Sequence, residues 1–245
     1  AGGKTFYGLQ VFGASAGNVI RALWEVSAPV TANTSNAFND LGYAYARPEV
    51  ARLANGRWAT FIANGYGSNS GVAALYVLDA MDGSLIRKIV IDSTETSNGL
   101  SSVKLRVNSS NVVQAAYAGD LKGRMWKFDL SAPGAESWGV AFAGKPLFTA
   151  PGGATQPITA QPLLADNPQG GKQVFFGTGK FNETADKANK DLQAFYSIWD
   201  AEGGAGQITV SSLQAQAITG SFSGSSGQFL TTSQNETTYP GEKGW

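Results

Sequence analysis

The chain contains no cysteine and no histidine. Without cysteine there is no disulfide, no thiolate metal site and no thiol nucleophile. That absence is neutral about compartment, because reduced cytosol and disulfide-free export both allow it. Without histidine the commonest general base and metal ligand is missing. A Ser-His-Asp triad, a histidine-containing zinc site and a histidine-ligated haem are therefore excluded within these 245 residues. Charge is also scarce: 15% of residues are charged, against about a quarter in ordinary globular chains. Lys and Arg number 18, and so do Asp and Glu, which leaves no electrostatic case for nucleic acid or an anionic membrane. No apolar run reaches the length of about 18 residues that a spanning helix needs. The start, Ala1-Gly-Gly-Lys, is not a signal peptide. With an end at Gly244-Trp245, the chain reads as a piece of a longer protein.

What is present is apolar residues at 42%, 31 glycines and many Ser, Thr and Asn residues. That profile suits many short strands joined by turns and argues against a helical bundle. Residues 5–12 and 19–26 read as a hairpin around a turn cluster at 13–18. Residues 27–40 are a polar connection. Residues 48–91 hold four strands and three turns, one of them at Asn55-Gly56, the strongest short hairpin signal. A second such unit begins at residues 100–106 and 112–117. It continues through the Gly119-Asp-Leu-Lys-Gly123 turn to Met125-Trp-Lys-Phe128, with residues 138–142 expected as its fourth strand. A third unit takes residues 157–164, 173–176 and 194–199, with a polar insert at 182–192.

Tyr76-Val-Leu-Asp79, Trp126-Lys-Phe-Asp129 and Tyr196-Ser-Ile-Trp-Asp200 occupy one slot in these units, and Phe6-Tyr-Gly-Leu9 is a weaker copy. Tyr76 and Trp126 lie 50 residues apart, and Trp126 and Tyr196 lie 70 apart with the insert. Four strands per unit at roughly 40–50 residues is the signature of a β-propeller. Several strands are apolar on consecutive residues, such as Leu75 to Leu78 and Val174 to Phe176. Such strands need cover on both faces, which neighbouring blades supply. The expected fold is an all-β propeller with quinoprotein-like four-stranded blades. About four blade units are visible, part of a larger propeller. Residues 1–245 form one such domain, and the Gly/Ser-rich tail 201–245 is expected to give weak strands to an incomplete last blade.

The stretch Tyr117-Ala-Gly-Asp-Leu-Lys-Gly-Arg-Met-Trp-Lys-Phe-Asp-Leu130 resembles the blade signature of the PilY family of type IV pilus tip adhesins and biogenesis factors. Asp40-Leu-Gly-Tyr-Ala-Tyr-Ala-Arg-Pro48, Arg52-Leu-Ala-Asn-Gly-Arg-Trp58, Asn64-Gly-Tyr66, Gln156-Pro-Ile-Thr159 and Phe176-Gly-Thr-Gly-Lys180 fit it too, in the family's order. The resemblance implies the C-terminal propeller of such a protein. It implies export in a Gram-negative bacterium to the cell surface, pilus tip or outer membrane. The partners it implies are minor pilins and a surface or host receptor.

In many family members a calcium loop of the form D-x-N-x-D-x-x-x-D precedes this hairpin. Here those slots hold Arg106, Asn108, Ser110 and Gln114, with Val112 in the backbone carbonyl position. Calcium binding relies on carboxylate oxygens. With none left, the family site is expected to be lost and no cofactor is expected. The loop from Asp92 to Asn98 carries Asp92 and Glu95, and reads as a solvated connection between blades or a replacement cation site. Asp79, Asp129 and Asp200 read as turn caps bonding nearby N–H groups. Phe176-Gly-Thr-Gly-Lys180 lacks phosphate-loop spacing. Trp24, Trp58, Trp126, Trp138 and Trp199 read as core rather than as a sugar-stacking set. No residue is assigned to catalysis, a cofactor or a metal. The expectation is a non-enzymatic domain in pilus biogenesis and adhesion. The alternatives are a quinoprotein oxidoreductase or an outer-membrane assembly scaffold.

Overall fold

The computed structural model describes residues 3–11, 20–201 and 207–245. The turn expected at residues 13–18 lies outside them. Among the described residues sixteen strands are seen, all in antiparallel sheets. β1 (Thr5–Gln10) pairs with β2 (Arg21–Ser27) as a two-stranded sheet. β3 (Glu49–Arg52), β4 (Trp58–Ala63), β5 (Ala74–Asp79) and β6 (Leu85–Val90) form a four-stranded meander. β7 (Lys104–Val107), β8 (Val113–Gly119), β9 (Arg124–Asp129) and β10 (Gly139–Val140) form the next, with β11 (Phe148–Thr149) also on β9. β12 (Leu163–Asp166), β13 (Lys172–Gly177) and β14 (Phe195–Asp200) form the third. β15 (Ile218–Gly224) and β16 (Gly227–Thr232) make a separate hairpin. Among the described residues the sheets do not close into a ring.

The first two large sheets are covered on both faces, which explains their consecutive apolar runs, whereas the third contributes to one core only. Every residue of β5 is buried. Because side chains alternate along a strand, Leu75 and Val77 pack toward the second meander with Phe61, Trp126 and Phe128. Ala74, Tyr76 and Leu78 pack the other way, with Phe6 and Val26 of the two-stranded sheet. β8 divides likewise: Ala116 and Ala118 face the first meander, while Ala115 and Tyr117 face the third sheet with Phe148, Val174 and Ile198. Burial of each large side chain contributes roughly 1.5–3 kcal/mol, so these cores are what hold one sheet on the next.

The first strands of successive sheets approach each other. Arg52 bridges Val112 in parallel. Glu49 accepts Lys104 Nζ at 2.7 Å, Leu105 N at 2.9 Å and Gln161 Nε2 at 3.1 Å, which ties three sheets through one carboxylate.

Two expectations change. The fourth strand of the second meander is not continuous over 138–142. It is split into β10 and β11, because Phe142 and Ala143 take left-handed backbone angles (φ 55° for both) that end pairing. The strand expected at 157–164 starts at Leu163, beyond Pro157 and Pro162, which lack N–H donors. In the tail, β15 and β16 pair with each other as a two-stranded sheet. Its last residues return to β14. Ser197 and Trp245 exchange N–H···O bonds of 2.7 and 2.8 Å, and Trp199 N donates to Lys243 O at 2.7 Å. Residues 243–245 thus act as the outer edge of the third sheet.

Candidate functional site

The loops that follow the second strand of each large sheet gather at one end of the molecule. Their construction repeats. Asn64, Asp120 and Thr178 each stand just past that strand, and each accepts the N–H at or near the start of the third strand. Ala74 N reaches Asn64 Oδ1 at 3.0 Å, Arg124 N reaches Asp120 Oδ1 at 3.0 Å, and Ala194 N reaches Thr178 Oγ1 at 2.9 Å. The bonded residues lie 10, 4 and 16 positions apart in the chain respectively. One polar atom therefore closes loops of different size. Backbone bridges Gly65–Leu100, Leu100–Asp120 and Ile158–Gly179 then lace this end from sheet to sheet.

Asp120 is fully buried. Its Oδ2 accepts Trp126 Nε1 at 2.9 Å, Arg124 Nε at 2.8 Å and Asn98 Nδ2 at 3.2 Å. Arg124 also grips Glu95 with Nη1 at 2.9 Å and Nη2 at 2.5 Å, and lies over the Trp126 ring at 5.0 Å. Hydrogen bonding from Arg124 holds the Glu95 carboxyl below its ordinary value, against a smaller opposing effect of burial. The residue 92–98 loop is thus not a merely solvated connection. Its Glu95 binds a cation that the protein itself supplies, Arg124, while Asp92 caps Thr94 N at 2.8 Å.

Asn64 is also fully buried. It makes four bonds, to Asp40 O, Val72 O, Ala74 N and Leu100 N, all between 2.7 and 3.0 Å. It presses residues 42–45 onto residues 64–67, where Gly42 N meets Asn64 O and Tyr43 N meets Tyr66 O. On this surface Tyr45 stacks with Tyr66 at 5.8 Å and leans on Tyr43 at 6.0 Å. Burial raises the Tyr66 hydroxyl above its ordinary value, partly offset by a hydrogen bond with Asn182 of the third sheet's insert. Beside it lies a cleft of about 340 Å³ lined by Lys180, Asp186, Lys187, Asp191 and Gln193 among others. Lys180 is paired with Glu183 at 3.4 Å and Asp186 at 3.3 Å. No phosphate-loop helix follows Thr178-Gly-Lys180; a short 3-10 turn, Thr184–Ala188, stands there.

The opposite end carries the hairpin where the family's calcium loop would lie. The donor set does not fit that ion. Asn108 Oδ1 already accepts Ser110 N and Val112 N, both at 3.0 Å. Val112 O, in the carbonyl position, already accepts Asn108 N at 2.9 Å, and Arg52 of the preceding sheet donates Nη2 to Ser110 O at 3.1 Å, which brings a guanidinium to this hairpin. Gln114 turns its amide nitrogen to Val113 O at 2.9 Å.

Asp79 and Asp129 cap their turns as expected, accepting Met81 N at 2.8 Å and Ser131 N at 3.0 Å. Asp200 does not. It leaves its turn for the neighbouring sheet and meets Tyr117 Oη and Lys127 Nζ, each at 2.6 Å. Trp126, Trp138 and Trp199 are buried, as expected, and Trp24 is half-buried. Trp58 is the exception, at 52% exposure. The closing polar slot of Asn64, Asp120 and Thr178 escaped notice because amide, carboxylate and hydroxyl do not look alike. A small residue precedes each of them, Ala63, Gly119 and Gly177, and that was the available signal.

A family model for the PilY1 beta-propeller domain matches residues 1–239. The chain is 40% identical over 248 aligned residues to the type IV pilus biogenesis factor PilY1 of Pseudomonas aeruginosa, covering 89% of this chain and 20% of that protein. It is 35% identical over 219 residues to a PilY1 homolog of Xylella fastidiosa, covering 82% of this chain and 14% of that protein. The crystal structure of the Pseudomonas aeruginosa PilY1 C-terminal domain superposes with a TM-score of 0.84 at 34% identity, covering 99% of this chain and 55% of that one. The chain thus spans about a fifth or less of the length of these curated relatives.

Proposed function

Because the chain belongs to the PilY1 β-propeller family, we propose that it is the non-enzymatic propeller part of a protein that supports type IV pilus assembly. Its recognition surface is the laced loop end rather than a reactive centre. The observation that carries this reading is the match to PilY1 along nearly the whole chain. Relatives of this chain are named type IV pilus biogenesis factors. The partners that fit are minor pilins, and the location is the pilus or outer surface of a Gram-negative cell. Adhesion to a surface or host receptor belongs to the same reading.

The metal-free part of the proposal is supported by chemistry at both ends. Arg52 engages the Ser110 carbonyl, and Arg124 fills the carboxylate pair Glu95 and Asp120. Among the described residues no three acidic side chains gather to hold an ion. The quinoprotein alternative needs a carboxylate set for its metal and a free catalytic aspartate. Asp79, Asp129 and Asp200 are each engaged elsewhere. Binding of the purified chain to soluble minor pilin domains, read by interferometry, tests the partner assignment. Saturable binding supports it. Absence of binding to any minor pilin, or dye reduction with alcohol or sugar substrates, argues against it.

A further inference from the structure

We propose that Asn55 is a site of spontaneous covalent modification, where the side-chain amide closes on the Gly56 nitrogen and is converted to aspartate and isoaspartate. The chain has three Asn-Gly pairs, Asn55-Gly56, Asn64-Gly65 and Asn98-Gly99. Glycine leaves the attacking nitrogen uncrowded, because it carries no Cβ. The fold nevertheless treats the three pairs differently. Asn64 is fully buried. Its Nδ2 donates to Asp40 O at 2.7 Å and Val72 O at 2.8 Å, and its Oδ1 is held by N–H groups 10 and 36 positions further on. Asn98 is 2% exposed. Its Nδ2 donates to Glu95 Oε2 at 2.9 Å and Asp120 Oδ2 at 3.2 Å, and its Oδ1 accepts Leu121 N at 3.1 Å. Releasing either amide nitrogen would leave buried acceptors unpaired.

Asn55 stands exposed on the turn between β3 and β4. Its Oδ1 accepts the N–H of Arg57, two residues on, at 3.1 Å. This local turn folds the side chain back over the Gly56 peptide, whose nitrogen is the attacking atom. The Arg57 N–H also stabilises the negative charge that grows on Oδ1 as the new bond forms. No group among the described residues bonds Asn55 Nδ2, so ammonia leaves into water. Gly56 has open space around it, with nothing within 4 Å of a Cβ position. Its N–H is held by Leu53 O at 2.9 Å, so the turn opens briefly before the nitrogen attacks. An exposed turn tip opens at far lower cost than a packed core.

In the reaction the Gly56 nitrogen gives its proton to solvent base and bonds Asn55 Cγ, while the Cγ–Nδ2 bond breaks and releases ammonia. Water then opens the cyclic imide. Attack at the side-chain carbonyl gives aspartate. Attack at the main-chain carbonyl gives isoaspartate, which carries an extra methylene in the backbone. Nothing is oxidised or reduced. Either product places a carboxylate beside Arg57, which otherwise pairs with Asp79 at 2.5 Å, and adds one negative charge to a chain of zero formal net charge. The extra methylene falls inside a turn that Leu53 N closes on Arg57 O at 2.8 Å.

Peptide mapping of the folded chain by mass spectrometry, after storage in mildly alkaline and mildly acidic buffer, tests the proposal. The peptide carrying Asn55 should gain about 1 Da, faster in alkali, and should become a substrate for an isoaspartyl methyltransferase. In the folded chain its rate should exceed those of Asn64 and Asn98 by about tenfold or more. In urea, where the two buried networks are gone, the three rates should fall within about threefold of one another. Gly56→Ala should slow conversion at Asn55 about tenfold, with circular dichroism checking that the variant is folded. An Asn55 peptide that keeps its mass in the folded chain, while the urea-unfolded chain converts, overturns the proposal. So does conversion of Asn64 or Asn98 as fast as Asn55 in the folded chain.

Discussion

Tyr117 Oη donates to Asp200 Oδ2 across 2.6 Å, joining β8 of the second meander to the last residue of β14 in the third sheet. Both groups are buried, and Lys127 Nζ meets the same oxygen at 2.6 Å. A charged acceptor out of water makes this bond one of the stronger kind. Tyr117→Phe keeps the ring in its core and leaves Lys127 to neutralise Asp200. It should lower unfolding stability by about 2 kcal/mol, measured by urea denaturation, with secondary structure unchanged.

Glu95 gives the loop end a pH signature. Its carboxyl is held below the ordinary glutamate value of 4.5 by Arg124. A lowered folded value means the stabilisation is present above about 4.5 and is lost as pH falls through the folded value. Thermal midpoints of the native chain should therefore drop on acidification below about 4.5. In Arg124→Met this contribution should be gone. The variant should also be less stable at neutral pH by about 3 kcal/mol, because buried Asp120 loses its cation.

Close backbone approach makes one glycine far more demanding than another. Gly65 has φ 70°, and a Cβ there would sit 2.1 Å from Tyr43 O. Gly56 has φ 85° with nothing within 4 Å. Gly56→Ala should cost about 1 kcal/mol from backbone strain alone. Gly65→Ala adds overpacking and should cost about 3 kcal/mol, read as the difference in chemical denaturation midpoints. Ala143, at φ 55°, gives the reverse case: Ala143→Gly should stabilise by about 0.5–1 kcal/mol.

Calcium should be irrelevant to this chain. A ligand that binds only the folded state raises its stability, so removing a bound ion would lower the thermal midpoint. Scans with EDTA and with millimolar calcium should coincide. A midpoint that rises with calcium would show that the hairpin with Asn108 and Ser110 still takes the ion despite Arg52.

The repeated sheets were legible because strands covered on both faces carry apolar residues at consecutive positions, as Leu75 to Leu78 do. The hairpin from Tyr117 to Leu130 was legible because Gly and Asp mark the turn. Asp200 was misread as a turn cap: its chain position matches Asp79 and Asp129, but its partners lie 83 and 73 residues earlier, on another sheet. The Glu95–Arg124 pair leaves no local pattern to read, since the two residues lie 29 positions apart. The return of residues 243–245 to β14 runs through backbone bonds, which leave no side-chain pattern to read.

The central claim is that this propeller serves pilus assembly without catalysis. Its most direct test is the number of surface pili on cells whose gene lacks residues 1–245 in frame, counted by electron microscopy beside cells complemented with the intact gene. Few or no pili in the deletion strain, restored by complementation, is the result expected. Pilus numbers equal to those of the parent strain would contradict it.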